Sequence, residues 1–379
     1  MRDNLIRRFA AALVAASMLA AGTAYGQGGG GGVFVDGDGV LRTMTAAKGK
    51  AAAKLARIKR APGEEEIGYV SLPKLAAAIK AKQEAGEKIP LEMANLGGIV
   101  QLQYVFVYPE EKDLVIAGPA EELDGSDPNR AVGRSTGRPA LRFDDIAVAL
   151  RTVGPGRRNQ PFGCSIDMPP DGISNIQAES QRIGAVTGTN NEQIAARFRK
   201  AMGLQNVRLF GVDADTNAAF ICLEADFLMK RLALGTLKPP HPQIKSHMSL
   251  MKPGESMYNR WWFIPNHEPT QAADDGLAFE FQSKGMKVKC SSSPTQDDAD
   301  ASASAKKFAS NLSEHYAAAA DKVPAFADLW NVTDAVIFAA LVRKEDLHRK
   351  AGWDLGWVLD PAGYKATART TPKQVEPLA

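Results

Sequence analysis

The sequence predicts an α+β protein built from duplicated helix–β-hairpin units and closed by a C-terminal helical pair. Three observations predict it. Apolar residues recur at helical spacing behind capping residues, as Leu72, Leu75, Ala76 and Ile79 do behind Ser71. β-Branched and aromatic runs stop at charged turns, as IVQLQYVFVY stops at PEEKD. The plan of Gly97, strand, acidic turn, strand and Glu121 is repeated from Gly203 to Asp226. Paired strands bury one face and leave helices to cover the other, which gives the class.

Residues 1–26 read as a signal peptide. Arg2, Arg7 and Arg8 precede an apolar run from Phe9 to Ala21, and Ala24-Tyr25-Gly26 offers small residues for cleavage. The run is shorter than the ~20 residues of a finished span, so cleavage is favoured over anchoring. No later stretch is expected to cross a membrane. The mature chain is thus expected to be secreted or periplasmic.

Residues 27–66 hold a glycine spacer, a short hairpin on Asp36-Gly37-Asp38-Gly39 and an Ala-rich basic stretch read as a solvated linker. The first helix–hairpin unit spans 67–125. Residues 126–188 form a linker with a helix lined by Phe143, Ile146, Ala147 and Leu150. They also carry a strand in which Phe162, Cys164, Ile166 and Met168 alternate. The second unit, 189–238, opens on the capping pair Thr189 and Glu192, with Ile194, Phe198 and Met202 lining its first helix. The strand LQNVRLFGV, the turn DADTN, a second strand starting AAFICLEAD and a final helix ending at Gly235 follow.

Residues 239–360 carry a strand pair, Arg260–Ile264 and Leu277–Phe281, then two helices. Phe308, Leu312, Tyr316 and Ala319 line the first; Phe326, Leu329, Trp330, Thr333, Val336, Ile337 and Ala340 line the second, with Pro324 between. Residues 361–379 read as a disordered tail.

Removing residues 1–26 leaves 43 basic and 42 acidic side chains. So even a balance argues against nucleic acid as a partner, since phosphate binding needs unpaired cations. Cys164, Cys222 and Cys290 permit one disulfide with three pairings. They lack metal-site spacing, and Cys164 and Cys222 read as small buried residues in strands.

Asp213, Asp215, Asn217 and Glu224 stand at positions 1, 3, 5 and 12 of an EF-hand-like loop, the oxygen donors that calcium takes. Ala218 replaces the usual glycine, and an Asp/Asn-rich turn is the plainer reading. Calcium is the one cofactor the sequence suggests. Asp36-Gly37-Asp38-Gly39 starts alike but has Ala47 at position 12. Ser71 and Lys74 match the S-x-x-K spacing of serine hydrolases, with Ser174-Asn175 as a partial companion; helix capping is the stronger reading. His241, His247 and His267 flank a Pro-rich connector, and Trp261 with Trp262 suggests an aromatic binding platform. Asp226 and Lys230 have the i, i+4 spacing of an ion-paired helix face. No catalytic residue is assigned.

The runs LQYVFVYPEEKDLVIAGPAEE, VRLFGVDADTNAAFICLEADFLMKRLALG and FASNLSEHYAAAADKVPAFADLWNVTDAVIFAALVRKEDL resemble an uncharacterised family of exported planctomycete proteins. The similarity covers Ile67 to Leu347, and ADFLMKR is its most specific piece. The resemblance implies secretion and a domain of unknown function, and brings no catalytic residues. The expectation is a secreted or envelope-associated, non-catalytic protein whose partner is an envelope protein or polysaccharide. The alternative is an exported hydrolase acting on cell-wall or polysaccharide material.

Overall fold

The computed structural model describes residues 32–35, 41–44, 67–157, 161–184, 191–252, 255, 259–292 and 301–377. The signal peptide, the turn at 36–40, the basic stretch at 45–60 and the Thr189–Glu192 capping side chains lie outside the described residues. Strands β1 (Gly32–Val35) and β2 (Leu41–Met44) pair antiparallel, Val35 opposite Leu41.

The chain divides into two compact units. The first takes Met1–Arg157, His267–Lys284 and Asn331–Ala366; the second takes Arg158–Asn266, Gly285–Trp330 and Thr367–Ala379.

In the first unit β3 (Ile67–Ser71) runs directly into helix α1 (Leu72–Glu84). Ser71 is its N-cap, with Pro73 in the first turn, and Leu72, Leu75, Ala76 and Ile79 are buried. Strands β4 (Tyr104–Tyr108) and β5 (Asp113–Pro119) form the expected hairpin, Tyr108 opposite Asp113. Strand β3 adds to the far side of β5, so every residue of β5 is buried. Helix α2 (Phe143–Val153) buries Phe143, Ile146, Ala147 and Leu150. It buries Asp144 as well. That carboxylate accepts the Tyr364 hydroxyl at 2.5 Å and pairs with Arg142 at 3.2 Å. Burial, with the Asp144 charge beside it, pushes the Tyr364 phenol well up.

The second unit begins with β6 (Gly163–Asp167), then helices α3 (Gly172–Gly184) and α4 (Asn191–Met202), strand β7 (Gln205–Phe210) and helix α5 (Asn217–Leu234). Helix α3 occupies a stretch read as irregular from sequence. Helix α5 corrects a larger expectation. The run from Ala218 was taken for a strand before a helix, which would have duplicated the first hairpin. It is one helix, capped by Thr216, whose hydroxyl accepts from Ala219 N at 3.2 Å, and stopped by Gly235 at φ 76°. A short apolar run has no period that separates strand from buried helix. Here Ala, Leu, Met, Lys and Arg favour the helix, and Ala218, Ile221, Cys222, Ala225 and Met229 are buried along it. Cys222 therefore lies in a helix, Cys164 in a strand as expected, and no disulfide joins the three cysteines.

Two long strands, β8 (Arg260–Ala272) and β9 (Ala278–Ser291), have residues in both units, and β9 pairs with β4 through Ala278–Glu280. The first-unit sheet has the order β8–β9–β4–β5–β3. Helix α6 (Ala303–Glu314) and helix α7 (Pro324–Lys344) are the C-terminal pair, but the first is shorter than expected: it stops at His315, and Tyr316 and Ala319 lie in a separate short helix, Tyr316–Ala320. Against expectation, α7 is long and apolar enough to cross a membrane; most of its apolar window is buried in the protein, as in a core helix.

In the second unit the Tyr316 hydroxyl donates to Phe326 O at 2.8 Å, and Phe263 sits edge-on to both rings at 5.8 Å. At Gly285 (φ 83°) a Cβ would lie 2.5 Å from Tyr316 Cδ1, so the strand can pass there only as glycine.

Residues 361–377, within the segment read as a disordered tail, make specific contacts. Residues Tyr364 and Val358 accept from Arg151 through their carbonyls, at 2.6 and 2.9 Å. Strand β10 (Gln374–Val375) pairs antiparallel with β7, giving a second sheet of order β10–β7–β6. The Arg369 guanidinium lies 3.7 Å over the Phe220 ring and donates to Asn217 Oδ1 at 2.9 Å. Backbone bonds from Arg369 N to Asp215 O and Thr371 N to Ala214 O complete the attachment. Low sequence complexity hid this: backbone pairing and one cation–π contact hold the segment, with little apolar patterning.

Candidate functional site

The register of the second sheet decides what each face presents. Antiparallel partners share a face. Ser165 stands opposite Arg208, Asp167 opposite Asn206, Gly163 opposite Phe210, and Gln374 opposite Asn206. Cys164, Ile166, Val207 and Leu209 therefore point the other way, where α5 packs on β6. Burial pushes the Cys164 thiol up.

The polar face stays open. The Arg208 side chain is 65 % exposed and Phe210 is 37 % exposed. Asp167 Oδ2 accepts from Arg208 Nε at 2.6 Å and from Ser165 Oγ at 2.9 Å. Arg260, from the start of β8, reaches Asp167 Oδ1 at 3.5 Å. Gln374 Nε2 donates to Asn206 Oδ1 at 3.1 Å, which ties the added strand to the same face. Arg208 lies 6.0 Å over the Phe210 ring. The guanidinium is thus held through Nε, and among the described residues its Nη groups bond to no partner.

A second ion pair lies beneath, on α5, where Lys230 Nζ donates to Asp226 Oδ2. This bears out the i, i+4 reading of that pair. Burial raises the Asp226 carboxyl above the usual carboxylate range, against the lowering effect of the Lys230 ammonium. Asp167 and Arg260 act on Asp226 too, so the group is electrostatically continuous, with three cations to two carboxylates.

Residues 164–247 match the family of proteins of unknown function DUF1598. The DUF1598 segment carries β6 from Cys164 on, α3, α4, β7 and α5, and hence the residues of the open face other than Gly163, Arg260 and Gln374. No curated protein and no solved structure matches the chain.

In the DUF1598 segment the four candidate calcium donors are divided between a turn and helix α5. An EF-hand loop brings its twelfth residue back across the first. Here residue 217 opens a helix, which carries Glu224 away at about 1.5 Å per residue. Asp213 and Asp215 are exposed, and their carbonyls are the groups in use: Thr216 Oγ1 donates to Asp213 O at 2.7 Å, Arg369 N to Asp215 O at 3.2 Å. Among the described residues no group of three or more His, Cys, Asp or Glu is placed to hold a metal.

Trp261 and Trp262 do not make one platform. Trp261 is buried, edge-on to Phe308 at 5.6 Å and to His247 at 5.1 Å. Trp262 follows it on the strand and so takes the opposite face, half-buried.

The histidines keep separate company. His241 stacks on His315 with centroids 4.4 Å apart, and His267 meets Phe281 edge-on at 5.7 Å. Burial lowers His247 and His267 below the usual histidine range.

Ser71 caps α1 as expected, accepting from Lys74 N at 3.3 Å. It also donates to the buried Asp113 at 2.6 Å, and Lys74 Nζ donates to the other carboxylate oxygen at 2.7 Å. Asp113 stands between the two, so the lysine is not the base for the serine. Ser174 is spent on Asp171 O at 2.8 Å.

Sequence reasoning passed over Asp167, Arg208, Phe210 and Arg260. The alternation that turned Cys164 and Ile166 inward already turned Ser165 and Asp167 outward. What joins them to Arg208 is register, which no local pattern carries.

Proposed function

We propose that this protein is exported, works in the cell envelope or outside it, and acts by binding a partner through the open face of the β10–β7–β6 sheet. Export rests on the basic, apolar and small-residue order of residues 1–26. The observation that carries the binding reading is Arg208, fixed through Nε on Asp167 and 65 % exposed beside Phe210. A guanidinium held on one edge loses little freedom when a ligand takes the other, which favours recognition. The same pairing is poorly suited to proton transfer, because Asp167 already accepts two hydrogen bonds and faces a second arginine. The hydrolase alternative lacks such a group: the Ser71 proton goes to Asp113, whose second oxygen is taken by Lys74.

The test is co-sedimentation of the purified mature protein with washed envelopes of its own cells. Retention of the wild type and its loss in the double variant Arg208→Ala, Phe210→Ala is the expected result. Equal retention of both, or hydrolysis of wall polymer by both, would sink the reading.

A further inference from the structure

Resting on that binding reading, we infer that the open sheet face recognises an acidic polysaccharide, with Arg208 taking a carboxylate and Phe210 taking the flat face of a sugar ring. The face is a three-strand surface whose side chains come from alternate positions: Ser165 and Asp167 from β6, Asn206, Arg208 and Phe210 from β7, Gln374 from β10. Five of these six are polar, and Asn206 and Gln374 already bond to one another at 3.1 Å. Such a surface matches a ligand that presents hydroxyls at close intervals.

Among the six side chains that register places on the face, Phe210 is the one apolar group, too little by itself for the apolar core of a stable protein interface. It does offer one stacking position. Charge supplies the complement. Among the same six, Asp167 is the one carboxylate, and it stands against two guanidiniums, Arg208 at 2.6 Å and Arg260 at 3.5 Å, so this cluster keeps one positive charge. Arg208 keeps its two Nη groups for a planar, two-oxygen anion, and among the described residues nothing bonds to them. One surplus charge suits a polymer with a spaced carboxylate and is too little for the phosphate ladder of a nucleic acid.

The experiment measures binding of the full mature protein to sodium polygalacturonate and to neutral dextran by biolayer interferometry at low and moderate salt. Wild type is expected to bind the polyuronate and not dextran, and to weaken as salt rises. Arg208→Ala should weaken it on the order of tenfold, the scale of one charge-assisted contact. Arg208→Lys, which keeps the pair with Asp167 and so the fold, should restore only part. Phe210→Ala should weaken it less, and Phe210→Trp should recover it. Equal binding to dextran overturns the acid-reading role of Arg208. Binding to neither polymer, with envelope retention intact, overturns the ligand class and leaves the binding reading standing. Loss of envelope retention as well removes both.

Discussion

The two sheets of this molecule are used in opposite ways. In the first, β5 is buried at each of its positions, between β4 and β3, within a core that includes Ile116, Phe143 and Phe338. In the second, every residue of β6 is only half-buried, and β7 exposes Arg208 and Phe210 outright. A strand buried on both faces, as β5 is, has no side chain to spare for a ligand. A sheet covered on one face by a single helix is less stable, yet it carries a full row of free side chains. The contrast shows where function can sit in a chain whose sequence gives no catalytic signature.

The largest effect should break or establish that contrast directly. Ile116→Ala in β5 should cost about 2–5 kcal/mol in urea unfolding, while Ile166→Ala in β6 should cost roughly 1 kcal/mol or less. Equal losses would mean the two sheets are packed alike.

A middle-sized effect concerns pH. Burial raises the Asp226 carboxyl above the ordinary value of 3.8, so as pH rises the unfolded chain releases this proton before the folded one. Its contribution to stability is therefore full below about pH 4 and is lost as pH climbs through the raised folded value. Relative to Asp226→Asn, the wild type should lose stability across that window and run parallel above it. Side-chain NMR should place the Asp226 midpoint above 3.8. A midpoint at or below 3.8 would show that Lys230 outweighs burial.

The smallest effect tests the segment that completes the second sheet. Arg369→Ala removes the contact with Phe220 and the bond to Asn217, and should cost about 1 kcal/mol. Hydrogen exchange should speed up at the Thr371 and Val207 amides, which bond to Ala214 O and Lys373 O, and stay slow in β5.

Much of the first unit was legible because its signals are local. Ser71 with Leu72, Leu75 and Ile79 spells a capped helix, and YVFVY against a charged turn spells a hairpin. The second unit was less so. The strand-like run from Ala218 is a helix because tertiary burial surrounds it, and burial is not written in the period of a short apolar run. The site was hardest of all. Asp167 and Arg208 are 41 residues apart, and Asn206 meets Gln374 across 168. Alternation shows which way each side chain points; only pairing shows which neighbour it meets. The interleaving of the two units along the chain is hidden for the same reason.

That span of 168 residues between Asn206 and Gln374 also sets an order of events. Closing so long a loop is entropically slow compared with forming α5 or the β4–β5 hairpin. Strand β10 should therefore join late, after the rest of the second unit has condensed. A chain caught partway through folding would carry Arg208 and Phe210 on an unfinished edge, without Gln374 beside them. The face of the second sheet is then complete only at the end of folding, so any ligand that needs Gln374 beside Arg208 would meet the finished protein alone.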